Sequence, residues 1–207
     1  MDNFLANRVR LDWNKKEHGL VWHITDVFNN DELDYIHKRI SKEKLILPPN
    51  ITEAAYQGEE LPLINKRIGP VLKKLYPQLQ QEYKDEQIKL LCKDNYNTVD
   101  LICSMSLQGT AQSINYRIHT DVVEKLLTFL VYIHPKIQEP TYFHAYKKGK
   151  VFKYKENDTD PIQAIPWEVN TGLIFLPNEL SNHSYANTIY NTDRYIVIGN
   201  LLRKNKI

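Results

Sequence analysis

The sequence has 207 residues, of which 42% are hydrophobic and 25% are charged, the composition of an ordinary globular protein. Its net charge of +2 gives no argument for nucleic acid or an anionic membrane as the main partner. Residues 126–133 form the longest apolar stretch, far short of the roughly 20 residues that span a bilayer. Cys92 and Cys103 are too few for a disulfide-stapled secreted scaffold, and residues 1–13 lack the apolar region of a signal peptide. We therefore expect a cytoplasmic protein with reduced thiols.

The first half of the chain is predicted to be mainly helical. Residues 20–28 alternate enough for an early strand, and apolar residues at helical spacing predict a helix from 31 to about 44, with Asn30 as a candidate cap. Residues 47–63 carry prolines and scattered polar residues and are predicted to form a loop. Residues 64–93 are predicted to be helical, and Pro77 is expected to divide them into two helices.

From residue 98 onward, short strand-like runs alternate with Gly, Pro, Asn and Asp. The predicted strands are 99–107, 113–121, 126–134, 141–146, 165–169, 172–176, 183–188 and 194–202. This number of short strands predicts a two-sheet jelly roll. Helices followed by strands predict an α+β fold with the helices packed on one sheet. We expect a single domain over 1–207, with a helical support region over 1–97 and a jelly-roll core over 98–207.

One histidine and one aspartate form a candidate metal-binding pair. His119 and Asp121 are two residues apart at the end of a predicted strand, so both side chains can point to the same side. Together they offer the imidazole nitrogen and the hard carboxylate oxygen that Fe(II) prefers. His183, which opens a later strand, is the candidate third ligand.

Two further side chains are predicted to face the same cavity. Arg194 opens an otherwise apolar strand, and a buried guanidinium is costly unless it is paired, for which a carboxylate is a bidentate partner. Tyr132 shares one face of its strand with Thr128 and Leu130, whereas the intervening residues face the core. The Tyr132 hydroxyl can therefore point toward the metal site.

These motifs resemble the Fe(II)/2-oxoglutarate-dependent dioxygenase superfamily. The run Tyr116-Arg117-Ile118-His119-Thr120-Asp121 is similar to the family pattern Tyr-x-x-His-x-Asp. Residues 125–133 are similar to its strand that begins with a basic residue and continues Leu-Thr-x-x-x-Tyr-Leu. The resemblance covers residues 116–203, somewhat under half of the chain, and looks closest to the prolyl-hydroxylase-like group and its small bacterial and phage members.

The resemblance implies a double-stranded β-helix that holds Fe(II) through His119, Asp121 and His183. It also implies that Arg194 and Tyr132 bind the C5 carboxylate of 2-oxoglutarate, with Tyr116 near the iron. The expected reaction hydroxylates a C–H bond of a protein side chain or small metabolite with dioxygen, releasing succinate and CO2, and ascorbate is a candidate accessory reductant. Because Asp121 is present, hydroxylation is favoured over halogenation.

Two segments depart from the family pattern. Residues 138–143 replace its usual Gly-Gly-x turn, and residues 147–160 are longer and more charged than a minimal member needs. Both bear on the substrate, which the sequence does not identify. Two alternatives stay open: a cupin-like metal protein in which Arg194 is structural, and a non-enzymatic jelly-roll module that binds a sugar or a peptide.

Overall fold

The computed structural model describes residues 8–11, 19–40, 56–91, 101–111, 114–146, 159–187 and 192–203. Within these residues the chain forms two helices, α1 (Asn30–Ile40) and α2 (Pro62–Asp85). It also forms eleven strands. They are β1 (Val9–Arg10), β2 (Val21–Ile24), β3 (Tyr56–Glu60), β4 (Leu101–Thr110), β5 (Ile114–His119), β6 (Lys125–His134), β7 (Thr141–Tyr146), β8 (Thr159–Ile165), β9 (Gly172–Phe175), β10 (Asn182–Asn187) and β11 (Arg194–Arg203).

The strands form two antiparallel sheets. The larger sheet has seven strands in the order β1-β2-β9-β6-β11-β4-β3, and the smaller has four in the order β5-β10-β7-β8. The predicted mixed fold of helices and two sheets is confirmed at this level. Residues 1–97 form both helices and also contribute strands β1, β2 and β3 to the larger sheet. The division into a support region and a core stays a prediction.

The alternating side chains of β6 divide the hydrophobic core in two. Leu127, Phe129 and Val131 pack in a large cluster with the apolar residues of α1 and α2. Leu130 and Tyr132 point the other way, into a smaller cluster that also receives residues from the four-stranded sheet. The predicted facing of this strand is therefore confirmed, and the smaller cluster lies between the two sheets.

Helix α2 is continuous, so the predicted break at Pro77 is wrong. Both of its internal prolines, Pro70 and Pro77, lie on the exposed side. The opposite side carries buried Leu72, Leu75 and Leu79, which pack in the large cluster. A proline removes a hydrogen bond from a helix, but here the loss falls on the side that faces water, and the packed apolar side keeps the helix intact.

Other element predictions need correction. Residues 56–60 of the predicted loop 47–63 form β3, because they pair with the edge of β4. The predicted strand 165–169 is wrong beyond Ile165, where β8 ends and a turn at residues 169–170 follows. The cap of α1 is Asn29 rather than Asn30: its side-chain oxygen accepts from the Glu32 N–H, and the Glu32 carboxylate accepts from the Asn29 N–H. Residues 41–44 of the predicted first helix lie outside the described residues.

Neither of the described helices combines the length and the apolar character needed to cross a membrane.

Tyr83, near the end of α2, ties this helix to the region between β9 and β10. Its buried hydroxyl donates to the carbonyl oxygen of Leu20 at 2.6 Å. The same hydroxyl accepts a hydrogen bond from the backbone N–H of Leu176 at 3.3 Å. Burial raises the pKa of Tyr83, so the hydroxyl stays neutral and can donate. Helix α2 thus helps to fix the segment that leads into β10.

We expect Tyr83→Phe to lower the free energy of unfolding by about 1–3 kcal/mol, because it leaves buried backbone groups without a partner. Urea denaturation followed by circular dichroism measures this change. Tyr35→Phe is the control, because the Tyr35 hydroxyl makes no hydrogen bond with any residue that the structure describes. Equal stability losses in the two variants would contradict the role assigned to the Tyr83 hydroxyl.

Candidate metal centre

The fold brings His119, Asp121 and His183 together. His119 ends β5 and lies directly opposite His183 of β10 in the strand register, and their ring centroids are 4.2 Å apart. Asp121 follows two residues after His119. One ligand atom from each of the three side chains lies within 4.8 Å of the others, and no other such group of His, Cys, Asp or Glu occurs in the described part of the chain. A local pair and a histidine from a distant part of the chain thus converge on one point.

The imidazole of His183 is held in the form that a metal needs. Its Nδ1 lies 3.0 Å from the carbonyl oxygen of Ser181, to which an Nδ1–H donates. This hydrogen bond leaves the lone pair of Nε2 for a metal. Burial lowers the pKa of His183, which favours the neutral ring. The rings of Phe143 and Phe175 pack around it, with centroids 5.7 Å and 5.2 Å away.

Asp121 is buried but remains ionised. Burial alone would raise its pKa, but the Lys125 ammonium and the hydrogen bonds from Lys125 and Thr128 help to hold it below its usual value. Lys125 Nζ donates to Asp121 Oδ1 at 2.6 Å, and Thr128 Oγ1 donates to Asp121 Oδ2 at 2.5 Å. Two strand residues therefore orient the carboxylate toward the histidines.

Arg194 forms a separate cationic site between the sheets. Its side chain is buried, with the residue only 1% exposed. Its Nη2 donates to Thr141 Oγ1 at 3.2 Å, whereas Nε and Nη1 have no hydrogen-bond partner among the described residues. Burial lowers the pKa of Arg194. A guanidinium still stays protonated in proteins, so an anion that accepts hydrogen bonds from Nε and Nη1 would stabilise it.

Three aromatic rings surround the Arg194 guanidinium. Its Cζ lies 4.0 Å from the ring centroid of Tyr185, 4.7 Å from that of Trp167 and 5.9 Å from that of Tyr132. The Tyr132 hydroxyl donates to Thr141 Oγ1 at 2.9 Å, the same oxygen that Arg194 contacts. Burial raises the pKa of Tyr132 to about 12. We call Arg194 with Thr141, Tyr132, Trp167 and Tyr185 the guanidinium pocket.

The register of β7 relates the two sites. Thr141 contacts Arg194, and Phe143 stacks on His183. These residues share one face of β7 and are two positions apart, which corresponds to about 7 Å along an antiparallel strand. A short molecule with a carboxylate at each end can therefore contact both a metal at the histidines and the Arg194 guanidinium.

The predicted site residues thus have different outcomes. The structure brings the three candidate metal ligands together and places Tyr132 beside Arg194 around Thr141. Tyr116 pairs with Tyr185 through the backbone, but its side chain lies outside the described structure. His144 is buried outside the triad, where it contacts Ser184, and burial lowers its pKa to about 4.

Three members of the guanidinium pocket were not predicted. Trp167 lies in the predicted strand 165–169, Tyr185 lies in the predicted strand 183–188, and Thr141 begins the predicted strand 141–146. None of them belongs to a motif, and each acquires its place through contacts with distant Arg194. Thr141 and Tyr185 lie opposite each other on the neighbouring strands β7 and β10, a pairing that is visible only in the assembled sheet.

Comparison with known structures gives a shared fold. A viral collagen prolyl hydroxylase from Paramecium bursaria Chlorella virus-1, in a 2-oxoglutarate complex, is 15% identical, with 88% of this chain and 95% of that chain covered and a TM-score of 0.54. The non-haem α-ketoglutarate-dependent epimerase SnoN of nogalamycin biosynthesis is 9% identical, over 91% and 80%, with a TM-score of 0.54. HygX from Streptomyces hygroscopicus with iron bound is 11% identical, over 92% and 84%, with a TM-score of 0.51. The sequence matches no protein-family model and no curated protein.

We expect His183→Ala to lower the affinity for Co(II) or Mn(II) at least about 100-fold, because it removes one of three ligands from the site. Isothermal titration calorimetry measures the affinity. His134→Ala is the matched control, because His134 is exposed at the far end of β6. Tight binding that survives in His183→Ala would show that the metal is held elsewhere.

Proposed function

We propose that this protein is an Fe(II)/2-oxoglutarate-dependent oxygenase of the prolyl-hydroxylase-like type, and that it hydroxylates a C–H bond. In this proposal the two sheets form the double-stranded β-helix of that superfamily. His119, Asp121 and His183 hold Fe(II), and Arg194 and Tyr132 receive the distal carboxylate of 2-oxoglutarate. The shared fold supports the class, since one similar structure contains 2-oxoglutarate and another contains iron.

The observation that carries the proposal is the buried guanidinium of Arg194. Its Nε and Nη1 are buried without a partner in the described structure. A carboxylate that accepts hydrogen bonds from two guanidinium N–H groups satisfies both the charge and the geometry of this site. A purely structural arginine in the interior would normally be paired with protein groups. The guanidinium pocket therefore fits an anionic ligand.

The donor set of the triad fits the proposed metal. Two imidazoles and one carboxylate on a single face leave the remaining coordination positions open, the pattern of non-haem Fe(II) oxygenases. Nδ1 of His183 is already engaged with Ser181, and Asp121 is ionised. These features favour a free nitrogen lone pair on His183 and an ionised carboxylate on Asp121, the forms that bind a divalent cation.

Fe(II) with 2-oxoglutarate and dioxygen supplies the oxidising power to hydroxylate an unactivated C–H bond, with release of succinate and CO2. The protein's own part is binding and orientation. Arg194 fixes the far end of the co-substrate, and the surrounding aromatic rings exclude water from the ion pair, which strengthens it. Ser181 holds the tautomer of His183, and Lys125 and Thr128 hold the carboxylate of Asp121.

The presence of Asp121 supports hydroxylation rather than halogenation, because the carboxylate occupies the position that halide would take. The substrate class stays open between a protein side chain and a small metabolite. We keep ascorbate as a candidate accessory reductant, and we propose that the protein works as one domain in the cytoplasm. We also propose that the charged segment 147–160 and the predicted loop 47–63 form the substrate rim; of these, residues 147–158 and 47–55 lie outside the described residues, and residues 56–60 form β3.

We expect Arg194→Gln to weaken 2-oxoglutarate binding about 100-fold or more, because the buried charge that meets the carboxylate is lost. The assay is succinate formation by Fe(II)-loaded protein in air, measured over a range of 2-oxoglutarate concentrations. Arg203→Gln on the same strand is the matched control, because Arg203 is exposed.

Each rival predicts a different result in that assay. A cupin-like metal protein would bind the metal but form no succinate, whatever residue stands at position 194. A sugar- or peptide-binding module would in addition bind no metal at the triad. Succinate formation with equal 2-oxoglutarate dependence in wild type and Arg194→Gln would remove Arg194 from the co-substrate site.

A further inference from the structure

Trp167 is a fixed outer wall of the guanidinium pocket. It follows β8 and is half-buried, whereas its neighbours Pro166 and Glu168 are exposed. Its indole Nε1 donates to the carbonyl oxygen of Pro135 at 2.7 Å. Its inner side meets the pocket, with the ring centroid 4.7 Å from Arg194 Cζ. Gln163 pairs with Phe143 and Ile165 pairs with Thr141, so the chain reaches Trp167 at the Thr141 end of the pocket, away from Phe143 and His183.

The indole is held from two directions. One is the hydrogen bond to Pro135, and the other is its ring contact with Tyr132, with a centroid separation of 4.5 Å at an interplanar angle of 30°. Tyr132 itself is fully buried and is anchored by its hydroxyl to Thr141. A side chain with such contacts cannot rotate away without breaking a hydrogen bond and an aromatic ring contact. The wall is therefore rigid.

On the basis of the proposed function, we propose that Trp167 determines the length of the dicarboxylate that the site accepts. The metal triad fixes one end of the co-substrate, and Arg194 fixes the other. A molecule one methylene longer must push its distal carboxylate past the guanidinium, against the indole. Since the indole is fixed, the six-carbon homologue 2-oxoadipate binds more weakly than the five-carbon 2-oxoglutarate.

The size of the effect follows from general pocket energetics. A pocket that discriminates by a single methylene does so by roughly 10–200-fold. Removing the indole opens space behind the guanidinium and also takes away one face of its aromatic surroundings. We therefore expect Trp167→Ala to bind 2-oxoglutarate more weakly and 2-oxoadipate more strongly than the wild type does.

The test measures co-substrate selectivity with a redox-inert metal. Mn(II)-loaded wild type, Trp167→Ala and Trp167→Leu are titrated with 2-oxoglutarate and with 2-oxoadipate by isothermal titration calorimetry. Trp22→Phe is the matched control. Trp22 is buried in the large cluster that contains the apolar residues of α1 and α2, and it packs near Tyr83. Its replacement therefore perturbs the core but leaves the guanidinium pocket intact. Thermal unfolding of each variant separates lost stability from altered selectivity.

The expected result is a wild-type preference for 2-oxoglutarate of about 10-fold or more, which Trp167→Ala reduces to near unity while Trp22→Phe keeps it. If Trp167→Ala does not fold, Trp167→Leu is expected to show a smaller change in the same direction. A wild-type selectivity ratio retained in the folded Trp167 variants overturns the inference and leaves Trp167 a structural residue. Absence of 2-oxoglutarate binding by metal-loaded wild type overturns the proposed function itself.

Discussion

A guanidinium ion buried between two β-sheets is the most demanding feature of this protein. Arg194 opens β11, and its Nε and Nη1 are buried without a partner among the described residues. Burying a guanidinium with unpaired N–H groups costs several kcal/mol, on the order of the whole stability margin of a domain, and an anion that accepts from these groups offsets this cost. The rest of the site is consistent with such an anion. Strand β7 holds Thr141 against Arg194 and, two residues later, Phe143 against His183, so one short dicarboxylate can reach both ends.

Much of this site could be predicted because its signals are local. His119 and Asp121 share a strand face through the two-residue period of β structure, and the alternation along β6 separates Tyr132 from the helix-facing residues. The His119–Asp121 spacing and the β6 alternation each depend on only a few consecutive residues. The pairing of His119 with His183 required only that β5 and β10 be neighbours, and the structure has them adjacent. The arginine was suspected because a charge stands at the head of an apolar strand.

The features that were missed depend on contacts between distant segments. Strand β3 forms because its backbone pairs with the edge of β4. The sequence of residues 56–60 carries no pattern that predicts this pairing. Helix α2 stays continuous despite its two prolines because its opposite face is buried in the core. This stabilisation comes from tertiary packing and not from the local sequence. Trp167 belongs to no repeating pattern, and its importance arises from its distance to Arg194. Local periodicity predicts which way a side chain faces, whereas the partner it meets is decided by the assembled sheets.

The most direct test of the central claim is an anaerobic titration of Fe(II)-loaded protein with 2-oxoglutarate, followed by visible absorption spectroscopy. Chelation of the iron by the keto acid gives a weak metal-to-ligand charge-transfer band. We predict a band that grows with 2-oxoglutarate and saturates at one equivalent per chain. No band in folded protein with one Fe(II) bound per chain would contradict the oxygenase assignment and leave a metal protein that does not use 2-oxoglutarate.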